Sequence, residues 1–340
     1  MPESQDMQYR PLGRTGINVS VAGLGTGGLS RMGQATHQDR DASKRLVGRA
    51  LDLGINLFDT APAYGDAETI LGEALRGVPR EGYFLTTKVR WSDAAGILSE
   101  TKVIESCEQS LQRLGIDYVD VLQFHGLLLP IYREAVDQLY PAAEKLRQQG
   151  KIRFIGITER PDTMTSRSGE TAADAAKRAQ DPYGEGDLRH DMLIEALKSD
   201  VWDTIMVRHG ILNFTAEDSV YPMALKTQTG VLSMASIRVR LATQAALEEV
   251  VRSAKAGGLI ANDELGDSDP LGFLVHDHVD STIAAAYKFS AAPAAVSTVL
   301  IGTGSVAHLE ADISHILGPS LPVEDEAKLR RIFAGVAISG

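Results

Sequence analysis

The sequence predicts a closed (β/α)8 barrel, because eight short apolar runs alternate with longer amphipathic stretches almost from end to end. The runs are apolar on successive residues rather than on every second one, as expected of parallel strands buried on both faces. Two long irregular stretches are expected on the C-terminal face, where barrels of this kind carry their sites. An open, doubly wound parallel sheet is the competing arrangement.

In order, the expected strands are VAGLGTG (21–27), INLFDTA (55–61), YFLTTKV (83–89), YVDVLQFHG (118–126), KIRFIGIT (151–158), WDTIMVRH (202–209), GVLSMASI (230–237) and VSTVLIGTG (296–304). Between them, Val103, Ile104, Cys107, Leu111 and Leu114 fall on one helical stripe that Gly115 ends. Cys107 on that stripe reads as core packing. Asp41–Gly54 and residues 133–150 repeat the pattern, each closing on a glycine. Residues 160–190 are polar with Gly and Pro, and residues 257–279 are again irregular; stretches of this length suit lids, binding loops or surface insertions. No linker or repeat divides the chain, so residues 1–340 read as one domain.

Composition narrows the function. The 340 residues carry a formal charge of −11, which argues against nucleic acid, where binding rests on cationic contacts to phosphates. One cysteine excludes an internal disulfide framework and any multi-thiolate zinc site. The opening MPESQDMQYR lacks the apolar core of a signal peptide, and no uninterrupted apolar stretch is long enough to span a membrane. The expectation is a cytoplasmic α/β protein that binds neither nucleic acid nor membrane; its oligomeric state leaves no sign here.

The most informative stretch is GINLFDTAPAYG (54–65), an apolar strand ending in Asp59 with Tyr64 in the turn beyond Pro62. Lys88 stands near the end of the third strand, in TTKV, and His125 near the end of the fourth, in LQFHG. Each has a plain alternative: a helix cap, a packed ring, a snorkelling lysine, a hydrogen-bonded core histidine. In a barrel, however, adjacent C-terminal strand ends converge on one mouth, so the four would meet there. Their chemistry is then complementary. Tyrosine, with a pKa of ~10, is a reluctant acid or base near neutrality, and an adjacent ammonium favours its ionised form. Asp59 would keep Lys88 charged, and His125 would polarise a carbonyl oxygen within reach of the phenol.

FDTAPAYG, TTK, LQFHG and GKIRFIGIT together closely resemble the aldo-keto reductase superfamily, and the likeness runs from YRPLGRTGINVSVAGLGTGG (9–28) to VSTVLIGTGSVAHLEADI (296–313). The resemblance implies a metal-free (β/α)8 oxidoreductase using NADP(H) or NAD(H), with a catalytic tetrad of Asp59, Tyr64, Lys88 and His125. Its substrate would be a small carbonyl compound or alcohol: an aldehyde, ketone or sugar. The IGIT wording is similar to the sugar and L-galactose dehydrogenase-like branch, some of whose members use NAD.

Residues 23–28 also satisfy GxGxxG, but a Rossmann fingerprint opens a helix at once and places a ribose-binding acid about 20 residues on. Here a loop intervenes and Asp59 lies too far along. The resemblance instead places Thr26 beside the nicotinamide. The phosphate end belongs at the ends of strands seven and eight, where Gly302 and Gly304 precede Ser305, a candidate N-cap whose helix amides can hold an anion. Ser236 and Arg238 in the seventh-strand loop are further candidates. Arg238 and Arg240 either hold the pyrophosphate or are solvated. The family's basic grip on the adenosine 2′-phosphate is replaced by Gly302, His308 and Asp312, which weakens any strict preference for NADP. In the nicotinamide pocket the family's Ser-Asn, Gln and stacking Tyr correspond to Thr158-Glu159, Met206 and His209. Thr158 can still bond a carboxamide and His209 can still present a flat ring, whereas a thioether cannot replace an amide.

Substrate walls are expected from Trp91, from Leu127, Leu128 and Leu129, and from Phe273 as a lid residue, each with packing as its alternative. The alternative to an enzyme is a nucleotide-binding barrel acting as a non-catalytic regulatory subunit.

Overall fold

The computed structural model describes residues 6–28, 30–93, 95–159, 189–336 and 338. An antiparallel hairpin, β1 (Tyr9–Pro11) and β2 (Asn18–Ser20), comes first. The first barrel strands are β3 (Ala22–Gly25), β4 (Leu57–Asp59) and β5 (Phe84–Arg90). A second small hairpin, β6 (Ser92–Asp93) and β7 (Gly96–Ile97), precedes β8 (Val119–Leu127), β9 (Ile152–Glu159), β10 (Thr204–Arg208), β11 (Gly230–Met234) and β12 (Thr298–Ile301). The parallel order is β3-β4-β5-β8-β9-β10-β11-β12, and Val299 beside Ala22 with Ile301 beside Leu24 closes the ring. Every expected apolar run contributes a strand, and closure rules out both the open sheet and the Rossmann arrangement.

The helices are α1 (Arg40–Asp52), α2 (Ala67–Ala74), α3 (Glu100–Leu114), α4 (Tyr132–Gln148), α5 (Asp191–Ala196), α6 (Ala216–Thr227), α7 (Arg238–Ala242), α8 (Gln244–Ala256), α9 (Thr282–Ala291), α10 (Val306–Leu317) and α11 (Val323–Phe333). Local chemistry sets several ends. Asp39 Oδ1 accepts the Ala42 N–H at the start of α1, and Gly115 at φ +68° stops α3, a conformation that side chains with a Cβ resist. Cys107 lies buried on α3, where burial pushes its thiol up to about 12, in keeping with packing rather than chemistry. Among the described residues no helix is long and apolar enough to cross a membrane.

Strand alternation builds the interior in layers. Leu57, Val121, Met206 and Leu232 form one buried cluster with Leu12, Ile17 and Val19, so the β1–β2 hairpin plugs the bottom of the barrel. Two residues further along β4 and β8 stand Asp59 and Gln123, the polar layer beneath the mouth. Met206 belongs to the apolar layer.

Of the two long stretches, residues 160–188 lie outside the described residues. The other, 257–279, is no open lid. Its Ile260, Leu265, Leu271, Leu274 and Val279 are buried in a cluster with α8, α9 and α11. Arg331 pairs with Glu264, and His276 Nε2 lies 2.7 Å from Asp325 Oδ2. Phe273 packs against this cluster under the Lys328 ammonium, 3.8 Å from the ring centre, and not in the cluster that holds Tyr64. The expected lid residue is therefore a clasp on α11.

Candidate active site

The register of three adjacent strands assembles the site. Asp59 pairs with Thr86, Lys88 with Gln123 and Arg90 with His125, so Thr86, Lys88, Gln123 and His125 share the inward face. Lys88 Nζ donates to both Asp59 oxygens at 2.7 Å and to the Thr60 carbonyl at 2.9 Å. Asp59 Oδ1 also accepts from Thr86 Oγ1 at 2.6 Å and from Gln123 Nε2 at 3.2 Å. Lys88 is only 1% exposed. Burial alone would push the ammonium down, yet the Asp59 carboxylate and the Tyr64 oxygen, which also hydrogen-bonds it, hold it above the ordinary lysine value. Lys88 Nζ lies 4.9 Å from the centre of the half-buried Tyr64 ring, and the His125 ring meets that ring edge to face at 5.9 Å. The structure thus brings Asp59, Lys88, Tyr64 and His125 together.

Two residues that the sequence reading missed fix Tyr64. A Cβ on Gly27 would lie 2.6 Å from Tyr64 Cζ, so the ring rests on bare backbone just after β3. Gln34 Oε1 accepts the Asp66 N–H at 2.9 Å, and its Nε2 donates to the Tyr64 carbonyl at 3.3 Å. The loop after the first barrel strand therefore holds the tyrosine turn from both directions along the chain.

The expected dinucleotide residues divide. Thr26 is fully buried at the end of β3, with its N–H on the Asp59 carbonyl and its Oγ1 without a partner. Ser236 is buried with an unpartnered Oγ, in a cleft lined by Arg208, His209, Ala235, Ile237 and Leu241. Orphaned buried hydroxyls at this mouth are what a polar ligand would satisfy. Gly302 is exposed, and a Cβ there would meet the Gly27 carbonyl oxygen at an ordinary 3.9 Å; Gly304 packs against the Gly33 backbone, and Ser305 caps α10 by accepting the His308 N–H at 3.3 Å. Arg240 Nε is buried without a partner; Arg238 opens α7, and its side chain lies outside the described residues. Thr158 Oγ1 accepts the Gly126 N–H at 2.8 Å, which leaves its hydroxyl proton to donate.

Other expected residues point elsewhere. The His209 ring stacks on Phe289 at 5.5 Å and 8°, with Nε2 2.8 Å from Glu217, which itself pairs with Arg330. It is buried, with its ring against Phe289, while still lining the Ser236 cleft; burial pushes its pKa below the ordinary histidine value despite Glu217. His308 is exposed. Leu127 and Leu128 are buried and Leu129 exposed, so they do not form one wall. Trp91 Nε1 donates to the Gly126 carbonyl at 3.1 Å. Glu159, at the end of β9, is buried with its Oε1 accepting the Arg208 N–H at 2.6 Å and its Oε2 2.7 Å from His190 Nδ1.

Asp312 is buried on α10 and hydrogen-bonded to Tyr287 of α9, away from the Gly302–Ser305 turn. Burial pushes its carboxyl up to about 7, only partly opposed by the Tyr287 hydrogen bond. A raised folded pKa means that the folded state binds the extra proton, so this group erodes stability as pH rises from the ordinary carboxylate range through 7. Asp312→Asn is accordingly expected to raise the thermal midpoint. The gain should be near zero at pH 4, growing to on the order of 2–4 kcal/mol above pH 7. A gain independent of pH would refute the assignment.

Fold and site together define a parallel (β/α)8 barrel with a lysine-backed tyrosine at its C-terminal mouth. Residues 23–175 match the aldo/keto reductase family model. The chain is 40% identical over 160 residues to L-galactose dehydrogenase of Arabidopsis thaliana, 46% of this chain and 49% of that one. It is 35% identical over 168 residues to NADH-specific methylglyoxal reductase of Escherichia coli K12, 44% of this chain and 51% of that one. These alignments span about half the length of each relative. The fold matches aldo-keto reductase AKR11C1 of Bacillus halodurans with a TM-score of 0.66 and 23% identity, over 98% of this chain and 97% of that one. Over the matched residues the chain is similar to the aldo-keto reductases, and its barrel has the fold of a solved member.

Proposed function

We propose that the protein is an oxidoreductase that moves a hydride between a nicotinamide dinucleotide, NADP(H) or NAD(H), and a small carbonyl or alcohol substrate, with Tyr64 as acid and base. The observation that carries this reading is the buried Asp59–Lys88 pair ending at the Tyr64 phenol. The names of the two partial relatives, one a sugar dehydrogenase and the other an NADH-specific reductase, agree with it.

When bound, the nicotinamide supplies the hydride. Thr26, Thr158, Ser236 and the Gly302–Ser305 turn are the residues that would hold the dinucleotide, and the orphaned hydroxyls of Thr26 and Ser236 with the exposed Gly302 fit one. In the reducing direction, Tyr64 gives its proton to the substrate oxygen while Lys88 stabilises the phenolate left behind. Asp59 keeps Lys88 charged and fixed. His125 orients the same oxygen and shares its developing charge. In the oxidising direction, the Tyr64 phenolate takes the alcohol proton.

The test is a fluorescence titration with NADH and NADPH side by side. Saturable quenching by at least one is expected. Much tighter NADPH binding would assign the 2′-phosphate to other cations, with Arg240 and Arg238 the first to substitute. Tighter NADH binding, or equal affinities, would show that the turn before α10 holds no such phosphate, as the exposed His308 and inward Asp312 lead one to expect. Binding of neither overturns the reading, the regulatory nucleotide-binding barrel included.

A further inference from the structure

Between Phe124 and Leu127 the β8–β9 register slips: Phe124 faces Ile157, but Leu127 faces Glu159, leaving one residue too many on β8. The extra length falls on His125 and Gly126, and Gly126 takes φ +68°. A bulge of this kind re-aims the neighbouring side chain and takes its own peptide out of the ladder. The buried Gly126 N–H and carbonyl then need partners from elsewhere. Side chains of the two flanking strands supply them: Thr158 Oγ1, at the end of β9, accepts the N–H at 2.8 Å, and Trp91 Nε1, just past β5, donates to the carbonyl at 3.1 Å.

We infer that Thr158 and Trp91 are positioning residues for His125, holding the N–H and the carbonyl of Gly126, one in each of the two consecutive peptides that set the imidazole over the barrel mouth. Thr158 is 1% exposed, and its threonine identity, where a valine would fit the same volume, is explained by this bond. Trp91, expected as a substrate wall, has its indole N–H committed inward. The inference rests on the proposed role of His125 at the substrate oxygen.

The test compares Thr158→Val, Thr158→Ser and Trp91→Phe with the unaltered protein by two measurements. The first follows the ring cross-peaks of 15N-labelled histidines in the cofactor-free protein, with the His125 signal identified by its loss in His125→Asn. Thr158→Val and Trp91→Phe should move that signal, whereas Thr158→Ser should leave it near its original place. The second measures NAD(P)H-driven reduction of 4-nitrobenzaldehyde. Thr158→Val should lower kcat by roughly ten- to a hundredfold, the scale at which small misplacements act, with Thr158→Ser restoring kcat to within about threefold. A His125 signal unmoved by both Thr158→Val and Trp91→Phe, or a Thr158→Val kcat within twofold of the original, overturns the inference. If the unaltered protein reduces no carbonyl compound, the proposed function fails, while the His125 signals still decide the positioning. Should Thr158→Val not fold, Trp91→Phe decides it by the same two measurements.

Discussion

Tyr64→Phe is expected to lower turnover by roughly a thousandfold, within the range that a positioned proton donor supplies, while the dissociation constants of NADH and NADPH stay within about threefold. The substitution is sparing by construction. The ring keeps its seat on the Gly27 backbone, its edge contact with His125 and its place near the Lys88 ammonium. Only the hydroxyl goes, and with it the atom that would exchange a proton with the substrate. Bound water is a poor substitute, because it is neither fixed over the reacting carbon nor backed by a buried cation. The thermal midpoint should move by no more than a few degrees, since the half-buried ring still packs. Near-original turnover with intact cofactor binding would remove Tyr64 from the chemistry and leave the proton transfer to another group.

The tetrad was legible in the sequence for the same reason the barrel was. Parallel strands buried on both faces leave unbroken apolar text, and a charged residue at the end of such text has few places to go except the mouth. Asp59, Lys88 and His125 each interrupt a run of this kind, and the two-residue period then puts Thr86 and Gln123 beside them. The two small hairpins were not legible, because β1 and β2 are three residues each and owe their stability to plugging the barrel bottom. The second half of the site was less readable still, since its side-chain directions are set by partners distant in sequence. His209 turns inward because Glu217 and Phe289 receive it, Asp312 because Tyr287 does, and Phe273 because Lys328 lies over it. Family wording marks the position of such a residue but not which way it faces. Gly27, Gln34 and the Gly126 bulge carry no apolar signature at all; the glycines act through backbone geometry and Gln34 through side-chain bonds to a turn some thirty residues on, and a single sequence prints neither.

Lys88→Met should be the most destabilising single change in the site, by about 3–5 kcal/mol, because it leaves the Asp59 carboxylate buried without its cation. Thr86 Oγ1 and Gln123 Nε2 would still donate to Asp59 Oδ1, but neither carries charge. The deficit should hold steady across neutral pH. The folded pKa of Lys88 is raised, so its stabilising contribution is complete below the ordinary lysine value and is lost only as pH rises through the higher folded one. Adding Asp59→Asn removes the stranded charge and keeps an oxygen for Thr86, so the double variant should regain most of the lost stability. Turnover should not return with it. Without the ammonium nothing stabilises the Tyr64 phenolate, and both variants should remain at least about a hundredfold below the original kcat, the loss typical of removing one charge-stabilising donor. Stability that recovers while catalysis does not would separate the two duties of one ion pair: Asp59 compensates a buried charge, and Lys88 passes that charge to the tyrosine. If kcat recovered along with the midpoint, the lysine would be a packing residue, and the acid–base chemistry would have to lie in His125 alone.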